Sequence, residues 1–298
     1  DLIDRPRFQL IVDTITNELV LDRLVSGCDA IFHFAAAVGV DLIVRDPVHV
    51  IETNILGTHT VLKVANRYRR KLLIASTSEI YGKSDDVPFG EDDDRLLGST
   101  TKARWSYSSS KAVDEFLGLA YHRQKGLPIV IVRLFNTIGP RQTGRYGMVV
   151  PRFVQQVIQG EVLTVHGDGE QSRCFCDVED TVRGILGLME FPPAVGEVFN
   201  IGSTKEVTNL ELAKMVLNVV GSIDSEILDQ QGDAWQDGQI VRVPYDQAYE
   251  PGFEDMRRRV PNITKIKSAI GWKPLVSLDE SLRRIAESHI KETKRRCE

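Results

Sequence analysis

The sequence predicts an α/β fold in which a doubly wound parallel sheet carries a smaller α/β subdomain. Continuous apolar runs of strand length, such as 72–76 and 128–135, alternate with amphipathic helical stretches. Strands that are apolar throughout are typical of parallel sheets covered by helices on both faces. After Asn136 the composition changes, and residues rich in Gly, Pro and Arg follow. We therefore expect a second subdomain that closes a cleft over the first.

The predicted elements form a βαβαβαβ series along the chain. The strands are expected at 8–12, 29–39, 72–76, 128–135, 163–167 and 198–201, and the helices at 18–25, 46–70, 107–125, 153–159, 179–190, 209–220 and 278–294. The segment 224–252 is polar and predicted to be irregular. The dinucleotide-binding domain is predicted to span 1–138 with a return segment at about 177–202, and the substrate subdomain 139–176 and 203–298.

Composition and charge exclude several classes of function. The chain has 298 residues with 42% hydrophobic and 27% charged residues, which is ordinary for a globular protein. A net charge of −5 argues against a nucleic-acid partner, since binding a polyanion requires a basic face. No apolar run approaches the roughly 18 to 20 residues that span a bilayer, and the start shows no signal-peptide pattern. We expect a cytoplasmic protein without a membrane partner.

The cysteines and histidines lack the spacing of metal sites. Cys28, Cys174, Cys176 and Cys297 form no CxxC pair, and the six histidines are scattered. Cys174 and Cys176 are expected on one face of a single strand as small packed residues. We predict neither a structural disulfide nor a metal ion.

Tyr107 and Lys111 are the first candidates for chemistry. If Tyr107 opens a helix, their four-residue spacing puts both side chains on one face. An ammonium group there stabilises a phenolate and lowers the pKa of the phenol from about 10. Because such pairs also occur by chance in many helices, the surroundings must decide. A hydroxyl cluster, Ser76, Thr77 and Ser78, lies upstream at the end of a predicted strand.

Ligands of doubly wound sheets bind at the carboxyl ends of the strands. Asp13, the run Ala35 to Ala37, Thr77 and Asn136 all follow predicted strands. Small residues at a strand end allow either a close approach of a flat ligand or tight packing of a helix against the sheet. For the alanines, the pattern alone leaves both interpretations open.

Seven motifs occur together in a characteristic order: HFAAAVGV, TNILGT, STSEIYG, YSSSK, RLFNTIGPRQ, GDGEQSRCFCDVEDTV and FNIGS. As a set they resemble the extended short-chain dehydrogenase/reductase family, specifically its NAD-dependent nucleotide-sugar epimerases, dehydratases and decarboxylases. One departure is large, because the family's Gly-rich GxxGxxG turn and its ribose-binding acid do not precede these motifs. We expect a trimmed portion of a longer polypeptide; the alternative is a natural fragment that binds NAD poorly.

The resemblance implies roles for residues at matching positions. Tyr107 would be the base, Lys111 would bind the nicotinamide ribose and lower the pKa of the tyrosine, and Thr77 would contact the reacting oxygen of the sugar. Asp13 would meet the adenine. The implied cofactor-binding set is Asp13, Ala35, Ala36, Asn54, Ser76, Tyr107 and Lys111. For Asn54, a helix-capping or buried hydrogen-bonding role is an equal alternative.

A second implied set would bind the nucleotide sugar. It comprises Asn136, Val150, His166, Arg173 and Arg259. Guanidinium groups suit a diphosphate because they bind phosphate oxygens through two parallel hydrogen bonds. Taken alone, each arginine would instead be expected in a surface salt bridge. His166 matches a position where relatives place an aromatic residue against the base, and a purely structural role is an equal interpretation.

The resemblance also implies the chemistry. Tyrosinate would take the proton of the 4-hydroxyl while hydride passes from carbon 4 to NAD, giving a 4-keto sugar. Relatives that dehydrate use an Asp-Glu pair after the threonine, whereas this chain has Ser78 and Glu79. The Thr77, Ser78, Glu79 triplet resembles the UDP-glucuronate decarboxylases. For Glu79, a carboxylate bonded to a backbone amide is the alternative.

The expected function is therefore that of a UDP-sugar enzyme, with UDP-glucuronate decarboxylation ahead of two other reactions. These are 4-epimerisation of UDP-glucose or a UDP-hexuronate, and then sugar-nucleotide 4,6-dehydration. A non-catalytic NAD-binding regulator is the candidate from another class, since the fold survives the loss of catalysis. The helices 46–70 and 107–125 resemble the pair that forms a four-helix homodimer interface in relatives.

Overall fold

A computed structural model describes residues 2–144, 148–224, 240–248 and 254–297. Its main sheet contains four parallel strands, β1 (Ala30–His33), β2 (Lys71–Thr77), β3 (Ile129–Leu134) and β8 (Val198–Ile201), in the spatial order β1-β2-β3-β8. In their register, His33 lies beside Ile74, and Thr77 beside Leu134. The predicted α/β class with a parallel sheet is confirmed.

Helices cover both faces of this sheet. They are α1 (Glu18–Ser26), α2 (Val40–Arg45), α3 (Pro47–Tyr68), α4 (Ser106–Lys125), α6 (Val178–Glu190) and α9 (Thr264–Ile270). Successive strand residues point to opposite faces. Leu72 and Ile74 of β2 accordingly pack on the side of Leu62 from α3, whereas Leu73 packs on the side of Ile185 from α6. The layers explain why the strands are apolar throughout.

A second hydrophobic core lies in the later part of the chain. Helices α5 (Val149–Ile158), α7 (Asn209–Ile223) and α10 (Leu278–Cys297) surround it, with the parallel strands β5 (Leu163–His166) and β10 (Ile240–Val243). Its centre includes Phe153, Val157, Leu212, Val216 and Ile285, all fully buried. The exact domain boundaries stay a prediction.

Two further strand pairs and one short helix belong to the described part of the chain. Strand β4 (Thr137–Ile138) pairs in parallel with β7 (Cys176–Asp177), and β6 (Ser172–Cys174) pairs antiparallel with β9 (Glu206–Thr208). A single turn, α8 (Tyr245–Ala248), follows β10. Within the described ranges, no helix is both long enough and apolar enough to cross a membrane.

One predicted strand is wrong and another is too long. Residues 8–12 have no regular secondary structure, and Val12 is 88% exposed. A strand needs a neighbouring strand for its backbone hydrogen bonds, and this segment forms no strand pairing with another described residue. The predicted strand 29–39 is restricted to Ala30–His33. The segment 224–252 was predicted to be irregular, yet 240–243 is a strand and 245–248 a helix; 225–239 and 249–252 lie outside the described residues.

The single strand predicted for Cys174 and Cys176 is also wrong. Cys174 ends β6 and pairs with Glu206, whereas Cys176 begins β7 and pairs with Thr137, so the two residues belong to different sheets. Both are buried, and burial raises the pKa of each thiol to about 12. They are packed residues with free thiols; the side chain of Cys297 lies outside the described residues.

The turn after β2 has a backbone contact that excludes any side chain. A 3-10 turn over Ser78–Tyr81 ends at Gly82, which has a φ of 70°. A Cβ atom on Gly82 would lie 2.1 Å from the backbone oxygen of Leu96. Glycine is therefore required on two grounds, since other residues disfavour this conformation and no space exists for one.

Candidate active site

A cavity of about 400 Å³ lies at the carboxyl ends of β2 and β3, facing α5. Two segments that directly follow these strands, 75–79 and 134–138, form its floor. This is the position at which open α/β sheets bind ligands. The predicted site residues that line it are Ala36, Ser76, Thr77, Ser78, Glu79, Tyr107, Asn136, Val150, Arg173 and Arg259.

Tyr107 lies in the first turn of α4, one residue after the helix begins, and is 7% exposed. The hydroxyl of Thr77 at the end of β2 is within hydrogen-bonding contact of it. Burial raises the pKa of Tyr107 above its usual value, and the nearby Glu79 carboxylate raises it further, while the Thr77 hydrogen bond opposes them. This direction is opposite to the lowering expected from Lys111.

Lys111 is occupied by an acidic partner. Its Nζ lies 2.8 Å from Oδ2 of Asp114 on the same helix, and the two side chains are 2% and 0% exposed. Neither residue is among those that line the cavity. The predicted pair of Tyr107 and Lys111 therefore shares a helix face, but the ammonium binds Asp114 in this structure.

Glu79 lies between two arginines. Arg104 donates a hydrogen bond to its Oε2, and Nη1 of Arg259 lies 3.6 Å from its Oε1. Nη1 of Arg259 also lies 3.4 Å from Oγ of Ser78. Burial alone would raise the pKa of Glu79, but the positive charges of Arg104 and Arg259 outweigh it, so the pKa is lowered. The sequence alternative, in which Glu79 bonds to a backbone amide, is replaced by this ion-pair cluster.

Arg259 itself is affected by its surroundings. Burial, with repulsion from Arg173, lowers its pKa to about 10, which still leaves the guanidinium charged at neutral pH. Nη2 of Arg173 donates to Oδ1 of Asp255 at 2.8 Å. Three guanidinium groups, from Arg104, Arg173 and Arg259, therefore face two carboxylates, from Glu79 and Asp255, around one cavity. The excess positive charge favours an anionic ligand.

Asn54 lies behind the cavity and is fully buried. Its Oδ1 accepts from the amide of Ala37 at 2.8 Å, and its Nδ2 donates to the carbonyl of Ala37 and to Oγ of Ser110, each at 3.2 Å. These contacts connect α3, the loop after β1 and α4. Of the two roles considered for Asn54, the structure shows the buried hydrogen-bonding one.

Besides Lys111 and Asn54, three further predicted site residues are not among those that line the cavity. Asp13 is exposed and accepts from the amide of Thr14 at 2.7 Å. Ala35 is exposed beside the lining residue Ala36. His166 has its Nε2 2.7 Å from Nη1 of Arg152, outside the cavity wall. The structural interpretation of His166 is thus the one its contacts support.

Several residues of the site were not predicted as such. Arg104 and Asp255 line the cavity and bind predicted residues, and Asp114 binds Lys111. The sequence contained a signal for Arg104, since this residue stands three residues before Tyr107 in the run KARWSYSSSK, which includes the motif YSSSK. Asp255 lies in a segment without a recognisable pattern. In the described ranges, no three His, Cys, Asp or Glu side chains are grouped to hold a metal ion, and the lack of a metal stays a prediction.

The cavity wall fits a flat polar cofactor such as NAD. Ala36 and Gly39 contribute little or no side chain to the wall near β1, so a ligand approaches the backbone closely. Oγ of Ser76 is buried at the cavity without a hydrogen-bond partner in the described part of the chain. An unpaired buried hydroxyl is costly and is satisfied when a ligand supplies the missing partner.

The comparisons with known proteins agree with this geometry. A family model described as GDP-mannose 4,6 dehydratase matches residues 2–285. The UDP-N-acetyl-alpha-D-glucosaminuronate decarboxylase of Bacillus cytotoxicus is 40% identical over 271 residues, covering 91% of this chain and 79% of that protein. UDP-glucuronic acid decarboxylase 5 of Arabidopsis thaliana is 36% identical over 283 residues, covering 94% and 74%.

A solved structure is similar over nearly the whole chain. The dTDP-glucose 4,6-dehydratase of Bacillus anthracis, in complex with NAD, superposes with a TM-score of 0.80 at 26% identity, covering 98% of this chain and 82% of that one. The resemblance drawn from the seven motifs is confirmed. Since the family model spans nearly every residue, the chain belongs to the GDP-mannose 4,6 dehydratase family, among the extended short-chain dehydrogenase/reductase enzymes.

Proposed function

We propose that this chain is an NAD-dependent enzyme that oxidises carbon 4 of a UDP-hexuronate and removes carbon 6 as carbon dioxide, with UDP-glucuronate as the first candidate substrate. One observation carries the proposal: Tyr107 with Thr77, and Glu79 between Arg104 and Arg259, face the same cavity. The names of the two decarboxylases, at 40% and 36% identity, support it.

Tyr107 is the proposed base for the 4-hydroxyl proton, and the Thr77 hydroxyl holds the same oxygen. Bound NAD would accept the hydride from carbon 4. The new ketone then lies β to the carboxylate, so the carbon–carbon bond breaks with loss of carbon dioxide and leaves an enolate. Arg259 and Arg104 stabilise the negative charge, while Glu79 keeps both guanidinium groups in place. A proton from water would then add to carbon 5 of the enolate, and Tyr107 would return its proton to the oxygen on carbon 4 as the ketone is reduced, which gives a UDP-pentose.

The remaining lining residues are proposed to hold the rest of the substrate. Arg173 and Asn136 line the cavity and would bind the diphosphate, with Val150 of α5 against the nucleotide. Ser76, Ala35 and Ala36 would contact NAD, and Asp13 would meet its adenine. Asn54 would support the cofactor side, because its hydrogen bonds connect the loop after β1 to α4.

The reaction is tested with purified intact protein whose NAD binding has been verified by calorimetry. UDP-glucuronate and its N-acetylated amino-sugar counterpart are each added, NADH absorbance is followed, and carbon dioxide and the nucleotide product are analysed. We expect transient NADH, carbon dioxide and a UDP-pentose. A 4-epimer without carbon dioxide would instead indicate the epimerase. Bound NAD that no UDP-sugar reduces would contradict the enzyme and favour the non-catalytic regulator.

The base is tested by Tyr107→Phe. Removal of the hydroxyl should lower kcat by about 10²–10⁴-fold, the usual contribution of a positioned acid or base. Tyr121→Phe is the matched control, because Tyr121 lies on the same helix, is partly buried against the sheet and does not line the cavity. Equal activity of the two variants would remove Tyr107 from the proposed mechanism.

We also propose that the enzyme is a homodimer. Apolar side chains on α3 and α4 are exposed, among them Leu56 at 53% and Phe116 at 67%. Val48, Ile51 and Val113 extend the same surface. Phe116→Asp should shift the protein toward a monomer in analytical ultracentrifugation, and an unchanged mass would contradict this interface. The cytoplasmic location stays a prediction.

A further inference from the structure

The ion pair of Lys111 and Asp114 is enclosed by protein. Its Nζ and Oδ2 atoms are 2.8 Å apart, and the two side chains are 2% and 0% exposed. Because they are three residues apart in α4, both lie on one helix face; Lys111 is one turn and Asp114 two turns beyond Tyr107. Away from water, charges act on one another more strongly than at the surface. The charge of Asp114 therefore interacts electrostatically with the groups around Lys111.

The neighbours of this pair on α3 and β1 carry no charge that competes with Lys111 for Asp114. Helix α3 contributes the neutral hydroxyl of Thr58, and β1 contributes His33, whose Nε2 lies 3.0 Å from Oγ1 of Thr58. Burial, with the Lys111 charge, lowers the pKa of His33 to about 4, so the imidazole is neutral at neutral pH. Oδ1 of Asp114 has no hydrogen-bond partner among the described residues.

The other carboxylates near this pair are each bound to arginine. Glu115, the next residue of α4, accepts from Nε of Arg133 at 3.0 Å and from Nη2 at 2.8 Å. Glu79, in the turn after β2, is bound to Arg104. Asp114 has Lys111 as its partner, and Lys111 is the cation that the family resemblance assigns to lowering the pKa of Tyr107.

We propose that Asp114 is a positioning residue, which anchors the Lys111 ammonium behind Tyr107 and sets the lower pH limit of the reaction. This inference rests on the proposed role of Tyr107 as the base. A carboxylate near a phenol disfavours the phenolate, and a carboxylate bound to an ammonium cancels part of the charge that would favour it. Both effects move the working range of the tyrosine to higher pH.

The test is Asp114→Asn, which keeps the shape of the side chain and removes its charge. The acid limb of the kcat/KM profile should shift to lower pH by about one unit, so that activity below the wild-type limb rises about tenfold. Glu287→Gln is the matched control, since it removes one carboxylate from the exposed face of α10 and should leave the limb in place. Asp114→Glu retains the charge and should retain the wild-type limb.

A second measurement does not depend on turnover. In NAD-loaded protein with ¹³C-labelled tyrosine, the Tyr107 ring resonance is assigned by its loss in Tyr107→Phe, and its pH titration is followed by NMR. Asp114→Asn should lower the titration midpoint relative to the wild type. A lower melting temperature with an unchanged midpoint and unchanged limb would overturn the proposal and leave Asp114 a purely structural residue.

A second variant distinguishes a folding defect from a functional effect. Asp114→Ser also removes the charge and has a smaller side chain, so it can fold even if the asparagine amide does not fit. Either variant, once shown to be folded, tests the influence of Asp114 on Tyr107. If the wild type turns over a UDP-sugar but neither variant shifts the midpoint, only this inference fails. If the wild type reduces no bound NAD, the proposed function fails, and the NMR midpoint still tests the influence of Asp114 on Tyr107.

Discussion

Two regions of this molecule for which site residues were predicted behave differently. In the catalytic region, formed by β2, the following turn and α4, most predicted side chains are buried. Glu79 and Lys111 bind other residues of the chain, whereas Oγ of Ser76 has no partner among the described residues. In the N-terminal region, residues 2–17, the predicted strand is absent and Asp13 is exposed. A motif residue is therefore held in place when its partner belongs to the same chain. A residue whose expected partner is a ligand, such as Asp13, is not held in place by the chain alone.

The largest effect on stability is expected from removing a buried charge in the catalytic region. Glu115 binds Arg133 between α4 and the sheet, with 7% and 10% of the two side chains exposed. Glu115→Gln leaves the guanidinium without its counter-charge and should lower the free energy of unfolding by about 3–5 kcal/mol. The measurement is urea denaturation. Glu18→Gln, which breaks exposed pairs between α1 and α3, is the control and should change far less; equal losses would contradict the contrast.

A pH experiment tests the burial of His33, the last residue of β1. Burial lowers the pKa of His33 from 6.5 to about 4. Between these values the unfolded chain binds a proton that the folded chain excludes, so stability is complete above pH 6.5 and declines as the pH falls toward 4. The loss should be on the order of 3 kcal/mol. His33→Gln should flatten this slope in denaturation series, whereas the exposed His59→Gln on α3 should retain it.

A smaller effect is expected from the hydrogen bonds of Asn54, which connect α3 and the loop after β1 to α4 of the catalytic region. Asn54→Ala leaves the amide and carbonyl of Ala37 without their partner, which should cost about 1–3 kcal/mol. Thermal denaturation measures the loss, with Asn66→Ala on the same helix as the control. A change no larger than that of the control would show that the loop after β1 holds itself in place.

The smallest effect is expected at Asp13. Its exposed hydrogen bonds to Thr14 and Asn17 predict a stability change within about 0.5 kcal/mol for Asp13→Ala. Calorimetry with NAD provides the sharper comparison. Weaker NAD binding at unchanged stability would show that Asp13 acts toward a ligand, whereas unchanged binding would remove it from the cofactor site.

The sequence predicts the layers of the fold better than it predicts individual contacts. Apolar runs such as β2 identify the sheet because residues like Leu72 and Leu73 are buried on opposite faces whatever their neighbours are. The apolar run at 8–12 fails as a strand because pairing depends on a neighbouring strand, which no local pattern reveals. The separation of Cys174 from Cys176 has the same cause, since their partners, Glu206 and Thr137, are distant in sequence.

The same distinction applies to the candidate site. Thr77 and Tyr107 were found because each belongs to a quoted motif, whereas Arg259 was named from the family resemblance. Arg104 was missed because its importance comes from Glu79, which is distant in sequence. Asp114 was also missed, although its position three residues after Lys111 in a predicted helix was a usable signal. The expected lowering of the Tyr107 pKa considered Lys111 but could not include Asp114 and Glu79, whose charges act in the opposite direction.

The contact at Gly82 has a consequence for the choice between reactions. Ser78 and Glu79 occupy a turn whose far end is held against the backbone of Leu96, where a Cβ atom would lie 2.1 Å from the carbonyl oxygen. The position of the Glu79 carboxylate therefore depends on a close contact between the backbones at Gly82 and Leu96, in which no functional side chain takes part. A substitution that changed this backbone contact would therefore move Ser78 and Glu79 without replacing any residue that lines the cavity.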